Sequence, residues 1–450
     1  MKTAGIRTAW MMAALLMLAP MVWAQAKLPP IHSFSVRECI EYAGKNSAQV
    51  KNALIDYQLQ FQTNREFTSE ALPQLSVNGY ITDYLQIPTT LLPGDFFGQP
   101  GTFVPIKFGT KYNSAATIEL NQLLFDGEVF VGLQARKTAL DLATKNVEIT
   151  EENIRLNIYK IYYQLVLSRY QMLLLDSNIS RAEKLLHDTR ELYKNGFAEK
   201  LDIDKTQVQL SNLQTEKVKT NVSIANGYLG MKLLMGMPVQ DSLVLTDSLS
   251  YDQVKEGLLD EGIYNYSDRR DYQTLDLTRK LGEFNVRRYK LSSLPSLSLT
   301  GAYSKNAQRE AMDIFTKEST WFTTSYVTLR LTVPIFAGFA RDARIKSAQL
   351  QLNKIQNNME TLKLSIDNDV AQARLNFAAA INTMESQKKN MELAENVYGQ
   401  TKKKYEQGLG SQTEITASQT DLVQAQTNFL AALYSAIIAK IDYQKAIGKL

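Results

Sequence analysis

The chain has 450 residues, 44% of them apolar, with 50 Lys and Arg against 46 Asp and Glu, one cysteine and two histidines. One cysteine cannot close an internal disulfide, and His32 and His187 cannot supply the three or four ligands of a zinc site, so no disulfide scaffold, metal site or cofactor is expected. Without Lys2 and Arg7, which belong to the leader described next, 48 cations face 46 anions, a balance that argues against nucleic-acid binding, and the apolar fraction excludes a disordered chain.

Residues 1–24 have the grammar of a signal peptide: Lys2 and Arg7, the apolar run Ala9 to Val22, then Val22-Trp23-Ala24 before Gln25. The run is too short for a membrane anchor. Cys39 lies well past the cut, where no lipoprotein cysteine would stand, and reads as a small apolar side chain in a helix. After Ala24 no stretch of about 18 uncharged apolar residues suggests a membrane-crossing helix, so any insertion must use strands.

Residues 25–236 predict a helix, a strand hairpin at about 74–122, a long helix at about 126–194 and a further helix at about 198–235. The hairpin rests on period-two alternation in Gln74 to Thr82 and Thr117 to Asn121, apolar on one parity and mostly polar on the other. Between them, Gln86 to Lys111 holds Pro88, Pro93, Pro100 and Pro105 and predicts an extended loop. No proline follows until Pro238, and from Ile154 to Leu186 apolar residues recur at alternating spacings of four and three, broken only by Ser168. That is a coiled-coil seam, and a helix of this span is about 100 Å long, more than a compact globule accommodates.

Residues 237–260 read as an irregular polar linker, and 261–450 repeat the pattern: helix, hairpin at about 296–333, long helix at about 338–406 and helix at about 411–447. The seam returns with smaller residues from Ile366 to Tyr398. Four anchors recur in one order. Leu72-Pro73 matches Leu294-Pro295, 222 residues on, and Phe125-x-Gly127 matches Phe336-x-Gly338, 211 on. Tyr193-x-x-Gly196 matches Tyr405-x-x-Gly408, and Met235-Gly236 matches Ile447-Gly448, both 212 on. The chain therefore reads as an internal duplication, with 11 extra residues in the first hairpin loop.

Two hairpins supply four strands, too few for a barrel, and open strand edges do not survive in hydrocarbon. Three chains would supply twelve, an even count suited to an outer-membrane barrel. Its lumen would then receive the polar parity, including Asn78, Glu119, Asn121 and Arg330.

The duplication, the Leu-Pro strand starts, the Phe-x-Gly exits, the Tyr-x-x-Gly turns and the helix-ending Gly236 and Gly448 together resemble the TolC-like outer-membrane efflux proteins over nearly all of the mature sequence. The resemblance implies a mostly α fold with a small β part: a homotrimeric helical periplasmic tube continuous with a 12-stranded barrel in outer-membrane lipid. It implies the exit duct of a tripartite efflux or type I secretion system, passive and not an enzyme. Its partners would be a periplasmic adaptor and, through it, an inner-membrane transporter of the RND, ABC or similar class.

By the same resemblance the turns at Gly196 and Gly408 become periplasmic tips, with Tyr405 and Asp202 forming a latch. Glu414 matches the first of two acidic rings. Ala417 stands in the second, and Gly410 replaces an arginine common after the second turn. The residues alone also allow plainer roles: Tyr405 capping the seam, Asp202 and Glu414 favouring helix starts. No Walker, His-Glu-x-x-His or Gly-x-Ser-x-Gly motif suggests an enzyme. The alternative is a periplasmic coiled-coil adaptor or scaffold without a pore, which would have no need of four amphipathic strands.

Overall fold

The computed structural model describes residues 30–247, 264–316 and 319–450. The expected signal peptide and residues 248–260 of the expected linker lie outside them. In chain order the elements are β1 (Ile31–Phe34), α1 (Val36–Asn46), α2 (Ala48–Ser69), β2 (Gln74–Asp83), β3 (Thr89–Pro93), β4 (Phe103–Lys107) and β5 (Tyr112–Phe125). Two long helices follow, α3 (Gly127–Lys194) and α4 (Lys200–Met235), then β6 (Ser242–Leu245). The second half holds α5 (Arg270–Leu291), β7 (Ser296–Arg309), β8 (Phe322–Thr332), α6 (Ala340–Glu406) and α7 (Gln412–Ala446).

Helices α1, α3 and α7 begin where a side chain satisfies a first-turn amide. Ser35 and Glu38 form a capping box on α1, and Asp126 Oδ1 accepts from the amides of Glu128 and Val129 at 2.8 and 3.3 Å, starting α3 where β5 ends. With 68 residues, α3 is about 100 Å long, and α6 has 67. The apolar seams bury lengthwise. Leu175, Ala182 and Leu186 of α3 meet Leu210 and Leu213 of α4, while Ile366, Val370, Phe377 and Met384 of α6 pack with Ala436, Ile437 and Ile441 of α7. A third cluster joins Cys39 and Ala43 of α1 to Ile154, Ile158 and Tyr162 of α3 and to Met231 and Met235 of α4. Burial there pushes the Cys39 thiol up to about 12, so it stays a neutral apolar filler.

Four strands form one antiparallel sheet in the order β2-β5-β7-β8. Its register puts Leu75 beside Leu120, Val77 beside Ile118, Leu297 beside Leu331 and Leu299 beside Leu329. One face is therefore apolar, and it is open: Val77 is 71% exposed, and Leu329 and Leu331 are exposed as well. Among the described residues, strands β2 and β8 each have a neighbour on one side only.

Three details depart from the sequence reading. The loop Gln86 to Lys111 contains a hairpin of its own, β3 with β4, because Thr89 to Leu92 and Phe103 to Lys107 pair despite Pro93 and Pro105 at their ends and edge. The linker is not irregular throughout, since Ser242–Leu245 pairs in parallel with Ile31–Phe34 and buries Leu243 and Leu245. Finally, α7 is long and apolar enough by composition to cross a membrane, although the sequence suggested no such helix. A third of its most apolar window is buried, and its Ala and Ile residues serve the seam with α6.

Candidate tip and lumen sites

Each long helix ends in the same turn. Gly196 and Gly408 have φ of 78° and 73°, a left-handed conformation that glycine adopts without a Cβ penalty. The amides of Phe197 and Leu409 reach back to the carbonyls of Leu192 and Lys404 at 2.9 and 3.0 Å, closing both helix ends.

Around these turns the predicted residues take definite places. Asp202 sits in the first turn of α4, where its Oδ2 accepts the Glu199 amide at 3.2 Å. Tyr405 is half-buried at the end of α6. Burial raises its phenol above the ordinary range, a hydrogen bond with Thr189 opposes the shift, and the charges of Asp202 and Asp188 add to it. The tyrosine and the carboxylate are thus near enough to feel each other, while the hydroxyl bonds to Thr189 and Asp202 caps its own helix. Glu414 stands in the first turn of α7, its amide bonded to Ser411 Oγ at 3.2 Å and its carboxylate to Lys404 Nζ at 3.1 Å. The plainer reading of Glu414 and Asp202 as helix-start residues describes their contacts. A cation accompanies Glu414 that sequence reasoning did not pair with it.

On the sheet, Asn78, Glu119, Asn121 and Arg330 share the face opposite Leu75 and Val77. Asn121 Nδ2 donates to Glu119 Oε1 at 2.9 Å, and Thr300 Oγ1 donates to Asn121 Oδ1 at 2.8 Å. Glu119 lies opposite Ala302 and Arg330 opposite Ser298, four residues apart on β7 and so roughly 13 Å, too far to form an ion pair. This polar surface can present hydrogen-bonding groups and isolated charges to water. Among the described residues no cluster of His, Cys, Asp or Glu could hold a metal ion.

Sequence reasoning missed a ladder of buried amides. Gln412, Gln419 and Gln426 follow one another at seven-residue spacing along α7 and all are buried. Gln412 Nε2 donates to Thr206 Oγ1 of α4 at 2.8 Å, and Thr189 of α3 donates to Gln412 Oε1 at 3.4 Å. One heptad on, Gln419 Nε2 reaches the Asn178 carbonyl at 3.4 Å, and after another, Asn178 Nδ2 of α3 donates to Gln426 Oε1 at 2.9 Å. The heptad spacing was the available signal. A polar residue at a core heptad position reads as surface until the facing helix is known.

Comparison with known proteins places this architecture. Residues 271–449 match the family model described as outer membrane efflux protein. The outer membrane protein TolC of Vibrio cholerae serotype O1 is 19% identical over 340 residues, which span 75% of this chain and 77% of that one. Among solved structures, CusC shares the fold with a TM-score of 0.77 at 15% identity over 92% of both chains. VceC from Vibrio cholerae scores 0.71 at 14% identity over 92% of this chain and 96% of its own. The CmeC outer membrane channel of Campylobacter jejuni scores 0.72 at 16% identity, covering 92% and 85%. The chain thus shares the fold of these solved structures over nine tenths of its length, and its residues 271–449 match the outer membrane efflux protein model.

Proposed function

We propose that the protein is the outer-membrane exit duct of a tripartite efflux or type I secretion system, a passive conduit from periplasm to exterior. The observation that carries this reading is the sheet. It has an apolar face open to its surroundings, a polar face bearing Asn78, Glu119, Asn121 and Arg330, and unpaired edges on β2 and β8. A single such sheet leaves two rows of backbone groups unsatisfied, which hydrocarbon does not tolerate. Pairing β8 of one copy with β2 of the next, three times over, closes twelve strands with the apolar face toward lipid and the polar face toward water. The long helices then continue the wall as a periplasmic tube. Its tips, at Gly196 and Gly408, are where an adaptor would dock and where Tyr405, Asp202 and Glu414 would narrow the passage. An adaptor or scaffold without a pore would have no use for an open apolar sheet.

Interchain cross-linking tests the closure. Within one chain β2 and β8 are separated by β5 and β7, three strand spacings or about 14 Å, beyond the reach of a disulfide. Ser76→Cys, combined in turn with Thr324→Cys, Thr328→Cys and Thr332→Cys on the same face, is expected to give a covalent three-chain ladder in outer-membrane fractions for at least one pair. Cross-linked species no larger than a monomer throughout would reject the trimer.

A further inference from the structure

Beside the turn at Gly408, helices α3, α4 and α7 frame a groove of about 940 Å³. Helix α4 packs on α3, and α7 on both α3 and α6, so α3 is the floor and α4 and α7 are the walls. Along α7 the groove runs from Thr413 to Leu430, about 26 Å at the helical rise. Of the four long helices α4 and α6 are the outermost, so a neighbouring copy meets their far sides and leaves the space between α4 and α7 open. The volume is that of a site for a drug-sized molecule, roughly 300 to 1,000 Å³.

Its floor is apolar, made by Leu174 and Leu175 of α3 with Leu213 of α4. Its walls are rich in acceptors. Thr420 and Thr427, on one face of α7, donate their hydroxyl protons to the Thr416 and Val423 carbonyls of their own helix at 2.9 Å. Their methyl groups and oxygen lone pairs are left for the groove. From the opposite wall Gln209 Nε2 reaches Thr420 Oγ1 at a long 3.4 Å, while the buried Gln209 Oε1 has no hydrogen-bond partner. That amide gains by turning toward a donor in the groove. Asp204 and Glu216 of α4 add two carboxylates against the one ammonium of Lys205, and all three side chains are exposed. Glu216 meets Lys219 at 3.9 Å, the outer limit of an ion pair, and Lys205 has a long stem that lets its charge turn to water.

We propose that this groove binds an amphipathic organic cation, an apolar body carrying N–H donors, as cargo on its way through the duct. The body lies over Leu174, Leu175 and Leu213, its N–H groups meet Thr420, Thr427 and Gln209, and Asp204 and Glu216 face its charge. The proposal rests on the duct reading: Ala417, three residues after Glu414, lines the groove, which therefore opens toward the passage that Glu414 would narrow. Charge and hydrogen-bond complementarity favour a cationic donor over an anion. Binding is shallow and reversible, because a conduit that held its cargo tightly would stop the flow.

The test uses the full mature protein in phosphatidylcholine nanodiscs, with empty discs as the blank, and follows the fluorescence of ethidium, a planar aromatic cation with amino groups. Anilinonaphthalene sulfonate, aromatic with an N–H but anionic, is the counter-probe. Ethidium is expected to bind saturably and more tightly than the sulfonate. An exposed carboxylate contributes up to about fivefold, so the double variant Asp204→Asn, Glu216→Gln should weaken ethidium roughly tenfold and bring the two probes together. Thr420→Phe, at an exposed position, fills the groove and should weaken both probes. Ethidium binding no greater than in empty discs, or unchanged in both variants, overturns the site even where the protein forms channels in planar bilayers. The expected variant effects in a protein that forms no channels would keep the binding site and overturn the duct reading, and with it the role in cargo passage.

Discussion

The turns that end α3 and α6 show what one residue can fix. At Gly408 the left-handed φ of 73° lets the Leu409 amide return to Lys404 and starts α7 alongside α6. Any Cβ there costs about 1 to 2 kcal/mol in backbone conformation. Gly399 lies inside α6, where an added Cβ meets nothing within 4 Å, so alanine adds helix propensity of up to about 1 kcal/mol with no clash. Gly408→Ala is therefore expected to lower the thermal midpoint and Gly399→Ala to raise it. Equal shifts in a melting experiment would show that the turn does not hold the α6 end. The same neighbourhood explains why the contacts of the proposed gate residues are harder to read from sequence than the turn. Tyr-x-x-Gly is local chemistry, legible from four residues, whereas the Lys404–Glu414 pair at 3.1 Å bridges two helices and appears only once the turn has folded.

Among the elements, the seams were legible because burial is periodic: Ile154, Ile158, Leu165, Leu175 and Leu186 recur on one face and are buried. The strands were legible through their parity, although β5 and β7 each run 14 residues, well beyond the alternating cores that signalled them. The first residues of β5, Tyr112 to Ala116, do not alternate, and they become strand through pairing with β2 and β7. Tertiary pairing overrides local pattern there. The glutamine ladder on α7 was illegible for the opposite reason. Its residues look solvated and are buried because α3 and α4 supply matching groups. Buried amide pairs of this kind fix the register of packed helices more than they add stability. Asn178→Leu alone leaves the Gln426 oxygen without its donor and should cost about 1 to 3 kcal/mol. Adding Gln426→Leu should recover most of that in a double-mutant cycle, because both polar partners are then gone. Additive losses would mean that the two amides do not act as a pair.

For the whole molecule, the question is what ties the two halves of the chain together. A short strap, residues 264–271, touches three long helices from both halves. Tyr264 and Tyr266 donate to Asp367 Oδ1 of α6 at 2.6 and 2.9 Å. Arg269 donates to the Ala446 carbonyl at the end of α7 at 3.1 Å and pairs with Asp369 of α6 at 3.7 Å. Arg270 pairs with Glu152 and Glu148 of α3. Composition gave no hint of this clasp, because its partners lie more than 90 residues away in sequence and its residues look like ordinary loop polarity. The clasp also predicts an alkaline limit. The hydrogen bond to Asp367, followed by burial and that carboxylate's charge, pushes the Tyr264 phenol from 10.0 up to about 12. A group whose pKa is higher folded than unfolded stabilises fully below the unfolded value, and the contribution disappears as pH climbs through the folded one. The Tyr264 contribution is therefore intact below about pH 10 and gone above about pH 12. Tyr264→Phe should lower the thermal midpoint at neutral pH by an amount matching roughly 1 kcal/mol. Between pH 10 and 12 the wild-type midpoint should fall faster and converge on that of the variant. If the two melting profiles run parallel through that window, the strap holds the halves together without the phenol's proton.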